Sequence, residues 1–202
     1  MELVTDMTSI AIADDIEVLY CLTELAHLDS ASESRLLARV VAADPRFVEP
    51  RYAAAGAALL TARSEALEDA GERAAFTAHA ERLAAIIRSA TSAGSLRFEA
   101  DETTRLLFAA AGDQFALLRI LEADWLAVRF LTSGAELEAF ASSAPAAARR
   151  GFVAERFSGA AHDGYGWDGA GATARLAGGT WVAGDGIGTA TSLVAFLEGQ
   201  TP

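Results

Sequence analysis

The 202-residue sequence contains few residues of the types that support disulfide, metal or nucleic-acid chemistry. Its one cysteine, Cys21, has no partner for an intramolecular bridge, and we expect a small buried side chain in an apolar stretch. Lysine and asparagine are absent, and the acids outnumber the arginines 28 to 16, for a formal net charge of −12. Because phosphate binding depends on basic patches, this balance argues against a nucleic-acid partner.

Long hydrophobic runs are also absent. Apolar residues make up 52% of the chain, but many are alanine, and no run approaches the roughly 18 residues that a membrane helix needs. The first residues, MELVTDMTSIAIADD, lack the basic and apolar segments of an export signal. We therefore expect a soluble, cytoplasmic, single domain (1–202) with no membrane partner. The sequence leaves open whether residues 1–13 are ordered.

No motif predicts catalysis or metal binding. The three histidines, His27, His79 and His162, are far apart, and none forms a ligand pair at zinc-site spacing. His162-Asp163 could orient a base, but no G-x-S-x-G nucleophile motif accompanies it. We therefore expect no catalytic, metal or cofactor site, and a binding module rather than an enzyme. An unrecognised enzyme or a small-ligand-binding protein is the alternative.

The glycines of TWVAGDGIGTATS lie between a strand-like run and a helix-like run, which is the order of a dinucleotide fingerprint. Counting from Gly184, however, the third glycine position of G-x-G-x-x-G is Thr189, and too few residues follow for a second parallel strand. We therefore expect Gly184, Gly186 and Gly188 to turn a strand into a terminal helix with Thr189 as its N-cap.

The first part of the chain has the apolar period of helices. The first helix is expected behind Asp14-Asp15 and includes Leu19 and Tyr20. The second follows a capping box that begins at Ser30. The predicted bounds are 14–90 for the helical part, 50–60 for the third helix and 72–89 for the fourth, with Phe76, Leu83, Ile86 and Ile87 facing inward.

After residue 95 the apolar period changes to two, which predicts an antiparallel meander. Leu126, Val128 and Phe130 are expected to face the core, since they alternate with Ala127 and Arg129. The predicted strands are 96–100, 105–110, 114–122 and 124–131.

The remaining segments complete the layout of residues 95–199. A second capping box at Ser133 predicts a helix, and the glycine-rich stretch 149–171 predicts a long loop. Residues 172–176 and 180–183 predict a hairpin before the terminal helix. The fold class is therefore α+β: a helical N-terminal half, then an antiparallel β-meander with flanking helices and a C-terminal helix.

Three features together resemble the EspG family over about residues 50–199. They are a hairpin with the strand DWLAVRFL, the capped helix that follows it, and the late strand TWVA before an amphipathic helix. EspG proteins are cytosolic chaperones of type VII (ESX) secretion in actinobacteria. The resemblance implies binding of helical type VII substrates, whose aggregation-prone tips stay soluble before export, without catalysis or cofactor. An immunity or adaptor protein with another partner is the alternative, and the oligomeric state stays open.

Four arginines suggest a site for such a client, because each predicted strand carries one at an odd-numbered position. With odd-length turns they would share one face of the meander with apolar and aromatic side chains. Trp and Arg often dominate interface energies. The predicted partner-binding surface is Arg97, Arg105, Phe115, Leu117, Arg119, Trp125 and Arg129. The strand register is not fixed by sequence, so a solvated face or one covered by the protein's own helices is the alternative.

Overall fold

A computed structural model describes residues 17–33, 35–41, 44–98, 101–121, 124–132, 152–167, 173–184 and 196. This part of the chain folds into helices and one antiparallel sheet, which confirms the α+β class. The helices are α1 (Leu22–Ser30), α2 (Leu36–Val40), a 3₁₀ helix (Pro45–Phe47), α3 (Pro50–Ala66) and α4 (Ala70–Ser89). The strands are β1 (Val18–Cys21), β2 (Ser92–Phe98), β3 (Asp101–Ala111), β4 (Gln114–Ile120), β5 (Trp125–Leu131), β6 (Phe152–Ser158), β7 (Ala161–Trp167), β8 (Thr173–Ala177) and β9 (Thr180–Ala183).

All nine strands belong to one sheet, in the order β1-β5-β4-β3-β2-β6-β7-β8-β9. The predicted meander is confirmed as β2 to β5, because each of these strands pairs antiparallel with the next. Strands β6 to β9 form a second meander, which joins the first where β6 pairs with β2. The short strand β1 extends the sheet beyond β5.

Strand β1 corrects the prediction that the first helix includes Leu19 and Tyr20. Val18 lies opposite Val128, and Cys21 lies opposite Trp125. Branched and aromatic residues suit a strand, and pairing with β5 satisfies backbone groups that a helix would otherwise satisfy. The helix begins only at Leu22, where the Glu24 carboxylate accepts a 2.9 Å hydrogen bond from the Cys21 N–H.

The predicted capping box at Ser30 is also wrong. The Ser30 hydroxyl donates to the carbonyl of His27 at the end of α1 instead. Helix α2 starts at Leu36, after Arg35 adopts a left-handed backbone with φ of 44°. Its Ala38 N–H donates to the buried carboxylate of Asp29 at 3.0 Å. The second helix is therefore later and shorter than predicted, because a side chain of α1 fixes where it lies.

Helices α3 and α4 agree more closely with the sequence. Helix α3 begins at Pro50, as predicted, but extends to Ala66. Helix α4 ends at Ser89, as predicted, and Asp69 caps its start by accepting hydrogen bonds from the N–H groups of Gly71 and Glu72. The four side chains predicted to face inward from α4 are all buried: Phe76, Leu83, Ile86 and Ile87.

The predicted long loop at 149–171 is wrong for residues 152–167. These residues contain β6 and β7, which pair from Phe152 opposite Trp167 to Ser158 opposite Ala161. Two of the glycines that suggested a loop, Gly164 and Gly166, lie inside β7, and a Cβ on Gly164 would come within 2.9 Å of the Trp181 ring. Gly164 therefore marks close packing rather than flexibility. The later hairpin is confirmed, and β8 and β9 meet at Gly178-Gly179, both with positive φ.

One face of the sheet packs against the helices and forms the main core. Leu126, Val128 and Phe130 belong to it, as predicted, together with Leu83 and Ile87 of α4. The opposite face is also buried, and there Phe196 contacts the Tyr165 ring edge-on with a centroid separation of 4.9 Å. The predicted helix at Ser133 and the turn and cap at Gly186, Gly188 and Thr189 lie outside the described residues, as do residues 1–13.

Candidate partner-binding site

The strand register does not bring the four arginines together on one face. Arg97 lies directly opposite Arg105, so these two share a face by their backbone positions. Across the next pair of strands, however, Arg119 lies opposite Leu106 rather than Arg105, and Arg129 lies opposite Leu117. Opposite residues share a face, so Arg119 and Arg129 point away from the face of Arg97 and Arg105. The predicted column is therefore split between the two faces.

Two other residues of the predicted surface are buried. Phe115 and Leu117 are only 1% and 6% exposed, so a partner cannot reach them in this fold. Arg119 is about half exposed and forms an ion pair with Glu17, with 2.7 Å between Nη2 and Oε2. Arg129 is half-buried in β5. Phe115 and Leu117 therefore belong to the protein's interior, whereas Arg119 and Trp125 remain open to solvent.

Trp125 is the predicted residue that lies at an open site. It begins β5, directly after Asp124, whose backbone has a positive φ of 68°. Its side chain is 37% exposed. The guanidinium of Arg63, from α3, lies 5.4 Å from the centre of its ring, which places the tryptophan against the helices.

Arg63 is held firmly enough to position Trp125. Its Nη1 donates to the fully buried carboxylate of Glu24 at 2.6 Å, and its Nη2 donates to the Leu19 carbonyl at 2.7 Å. Its guanidinium also lies 4.9 Å from the ring centre of Phe76. A planar guanidinium can pair with a carboxylate and contact aromatic rings at once, so one side chain connects α1, β1 and β5.

A cleft of about 780 Å³ opens beside Trp125, which we call the Trp125 cleft. It is formed by α1, the segment after α2, α3 and the ends of β4 and β5. Most of its lining residues are apolar, and except for the buried Leu126 each of these apolar side chains is only half-buried or, for Trp125, 37% exposed. The cleft is lined by Leu22, Thr23, Val40, Val41, Asp44, Arg46, Tyr52, Ile120, Leu121, Asp124, Trp125 and Leu126.

An ion-paired arginine forms the polar side of the Trp125 cleft. Arg46 lies between two carboxylates, with its Nη2 2.5 Å from Asp44 Oδ2 and its Nη1 2.6 Å from Asp124 Oδ2. Hydrogen bonds from Arg46 lower the pKa of both aspartates, and the two carboxylates raise the pKa of Arg46. The three groups therefore stay charged near neutral pH and join the 3₁₀ helix to the start of β5.

No pattern in the sequence indicates this cleft directly. Its residues come from segments 22–23, 40–52 and 120–126, and only tertiary packing brings them together. Trp125 could be suspected as an interface residue from its type alone. The sequence around Arg46 predicts a turn and that around Tyr52 the start of a helix, and neither pattern indicates a binding site.

Two of the three histidines, His79 and His162, have structural partners. Nδ1 of His79 lies 2.7 Å from the Tyr20 hydroxyl, and burial, aided by the nearby charge of Arg82, lowers the pKa of His79 to about 4. His162 stacks on Phe157 and lies 3.0 Å from the Glu155 carboxylate. Within the described ranges, no group of three or more potential ligands could hold a metal ion, and no helix has the length and apolarity to cross a membrane.

Comparison with known proteins identified no relative of this chain. No protein-family model matches the chain, and neither a curated protein nor a solved structure matches it. The resemblance to the EspG family is therefore left untested by these comparisons.

Proposed function

We propose that this protein is a non-catalytic binding module that holds an apolar segment of another protein in the Trp125 cleft. The observation that carries the proposal is the concentration of incompletely buried apolar side chains in one concave site beside an exposed tryptophan. Aromatic anchors in pockets dominate many interfaces, and a volume of this size is ordinary for a binding site. The ion-paired Arg46 supplies a polar rim that fixes orientation.

The partner we propose is a helical substrate of type VII secretion. This step rests on the resemblance to the EspG family, which implies an actinobacterial, cytoplasmic chaperone. An amphipathic helix presents apolar side chains on one face, and such a ridge suits an apolar cleft with a polar rim. An immunity or adaptor protein would use the same cleft for a different partner.

Co-expression tests this proposal. The chain is produced together with a small helical type VII substrate from an actinobacterium, and the complex is measured by size-exclusion chromatography. Trp125→Ala should abolish the complex, because it removes the aromatic anchor. Trp181→Ala is a matched control, since Trp181 is similarly exposed, at 41%, and lies in β9 at the far edge of the sheet. A complex that survives Trp125→Ala as well as Trp181→Ala contradicts the proposal.

A small-molecule ligand is the second candidate, because a cleft of about 780 Å³ also falls within the range of small-ligand pockets. Thermal melts with ATP, NAD and FAD test part of this class. A ligand present at about 100 times its Kd adds about 2.7 kcal/mol of stability. A clear rise in Tm that Trp125→Ala abolishes would favour this candidate over a protein partner.

A further inference from the structure

A second groove lies between α3 and α4, on the outside of the helical layer and separate from the Trp125 cleft. Helix α3 packs chiefly on α1, whereas α4 packs on β3 and β4, so the two helices contact each other only sparsely. Gly56 allows α3 to approach α1 closely, because a Cβ there would come within 2.3 Å of the Thr23 carbonyl oxygen. A groove of about 410 Å³ remains between α3 and α4.

The floor of this α3–α4 groove is apolar. Phe76, Leu28 and Ala84 form buried parts of it, and Leu60 and Ala80 on the walls are only half-buried. Leu60 and Ala80 belong to opposite helices, so apolar surface faces the groove from both sides. A partner that covered these side chains would remove apolar area from water and be stabilised by it.

The charge of the rim indicates which partner fits. Glu65 on α3 and Glu81 on α4 are the charged side chains that line the α3–α4 groove, and no basic residue among the described ones lines it. Both glutamates are exposed. Within the described residues neither forms an ion pair. An apolar floor between two unpaired carboxylates is complementary to an apolar ridge flanked by cationic side chains.

We propose that the α3–α4 groove binds an amphipathic helix of a partner protein whose apolar ridge is flanked by lysine or arginine. A groove between two helices accommodates a third helix through apolar side chains at i, i+3, i+4 and i+7. The cationic flanks meet Glu65 and Glu81, which selects against acidic helices by repulsion. This proposal does not depend on the Trp125 cleft, because the two sites share no lining residue.

The probes for the test are two synthetic capped peptides with leucine at helical spacing, one with lysine and one with glutamate at all other positions. Affinity is measured by fluorescence anisotropy. The lysine peptide should bind, more weakly as salt is raised, and the glutamate peptide should not. The double variant Glu65→Gln, Glu81→Gln should lower the affinity for the lysine peptide by about tenfold, which is the effect of losing two exposed ion pairs.

Two controls separate the groove from the general acidity of the protein. Glu33→Gln with Asp113→Asn removes the same charge from two exposed positions outside the groove and should change the affinity less than about twofold. Thr77→Arg places a long cationic side chain in the groove at an exposed position and should block the peptide. An equal loss with both double variants, or unchanged binding to Thr77→Arg, overturns the proposal. Trp125→Ala should leave this binding intact, so failure here is distinguishable from failure of the Trp125 cleft.

Discussion

Arg46 and Asp124 are 78 residues apart in the sequence, and their side chains meet at 2.6 Å beside the Trp125 cleft. Arg46→Gln should lower the free energy of unfolding by about 1 kcal/mol near neutral pH, because solvent screens these partly exposed pairs. Arg51→Gln is the control, since among the described residues Arg51 pairs with its sequence neighbour Glu49 at a more exposed position, and it should cost almost nothing.

The effect of Arg46→Gln should depend on pH. The pKa values of Asp44 and Asp124 lie below the ordinary value of 3.8 in the folded protein, so their stabilisation is present above that pH and is lost as pH falls through the folded values. Urea denaturation at about pH 6 and about pH 3 should therefore show a smaller difference between wild type and Arg46→Gln at the lower pH. An equal difference in stability between wild type and Arg46→Gln at the two pH values would contradict a stabilising role of these ion pairs.

Arg63→Met should destabilise the protein by about 3 to 5 kcal/mol, because it leaves the Glu24 carboxylate buried without its cation. Adding Glu24→Gln should restore part of the loss, since it removes the uncompensated charge. Urea denaturation of the single and double variants measures both effects. A double variant less stable than Arg63→Met alone would mean that the buried charge is not the cause.

Gly56→Ala should destabilise the protein by about 1 to 3 kcal/mol through overpacking against α1. The sign is informative, because the same change at an unhindered helix position stabilises by up to about 1 kcal/mol. Thermal denaturation of wild type and Gly56→Ala measures the change in Tm. A higher Tm for Gly56→Ala would show that α3 does not approach α1 this closely.

His79 should make the protein less stable in mild acid. Its pKa is about 4 in the folded state and 6.5 as the ordinary value, so between these pH values the unfolded chain binds the proton more readily. Stability should fall by about 1 to 2 kcal/mol from pH 7 to pH 5 through this group. The variant His79→Phe should lose less stability than wild type between pH 7 and pH 5, whatever its stability at pH 7. Identical pH dependence in urea denaturation would contradict the buried, neutral histidine.

The parts of the fold that could be predicted are those in which local chemistry and tertiary packing agree. Helix α4 has Phe76, Leu83 and Ile87 at helical spacing behind an Asp69 cap, and Gly178-Gly179 sits between two short strands. Strand β1 was missed because its pairing partner, β5, lies more than 100 residues later. Long-range pairing overrides local preference there.

The candidate site was harder to predict than the fold. The arginine surface depended on the register between β3 and β4, and that register places Leu106 rather than Arg105 opposite Arg119. A shift of one residue moves every side chain of a strand to the other face, so parity along the sequence cannot substitute for the register. Trp125 was predicted as part of the arginine face and as a residue type common in interfaces, whereas the cleft beside it depends on contacts between segments far apart in sequence.

Photo-cross-linking from Tyr52 tests the binding function of the Trp125 cleft most directly, because it reports which molecule occupies the cleft. A photoreactive phenylalanine analogue replaces Tyr52, which lines the cleft, or Trp181 in β9 as the control, and adducts formed in the native cells are identified by mass spectrometry. We expect a helical type VII substrate attached at Tyr52 and not at Trp181. No protein adduct at Tyr52, or the same adduct at both positions, would contradict it.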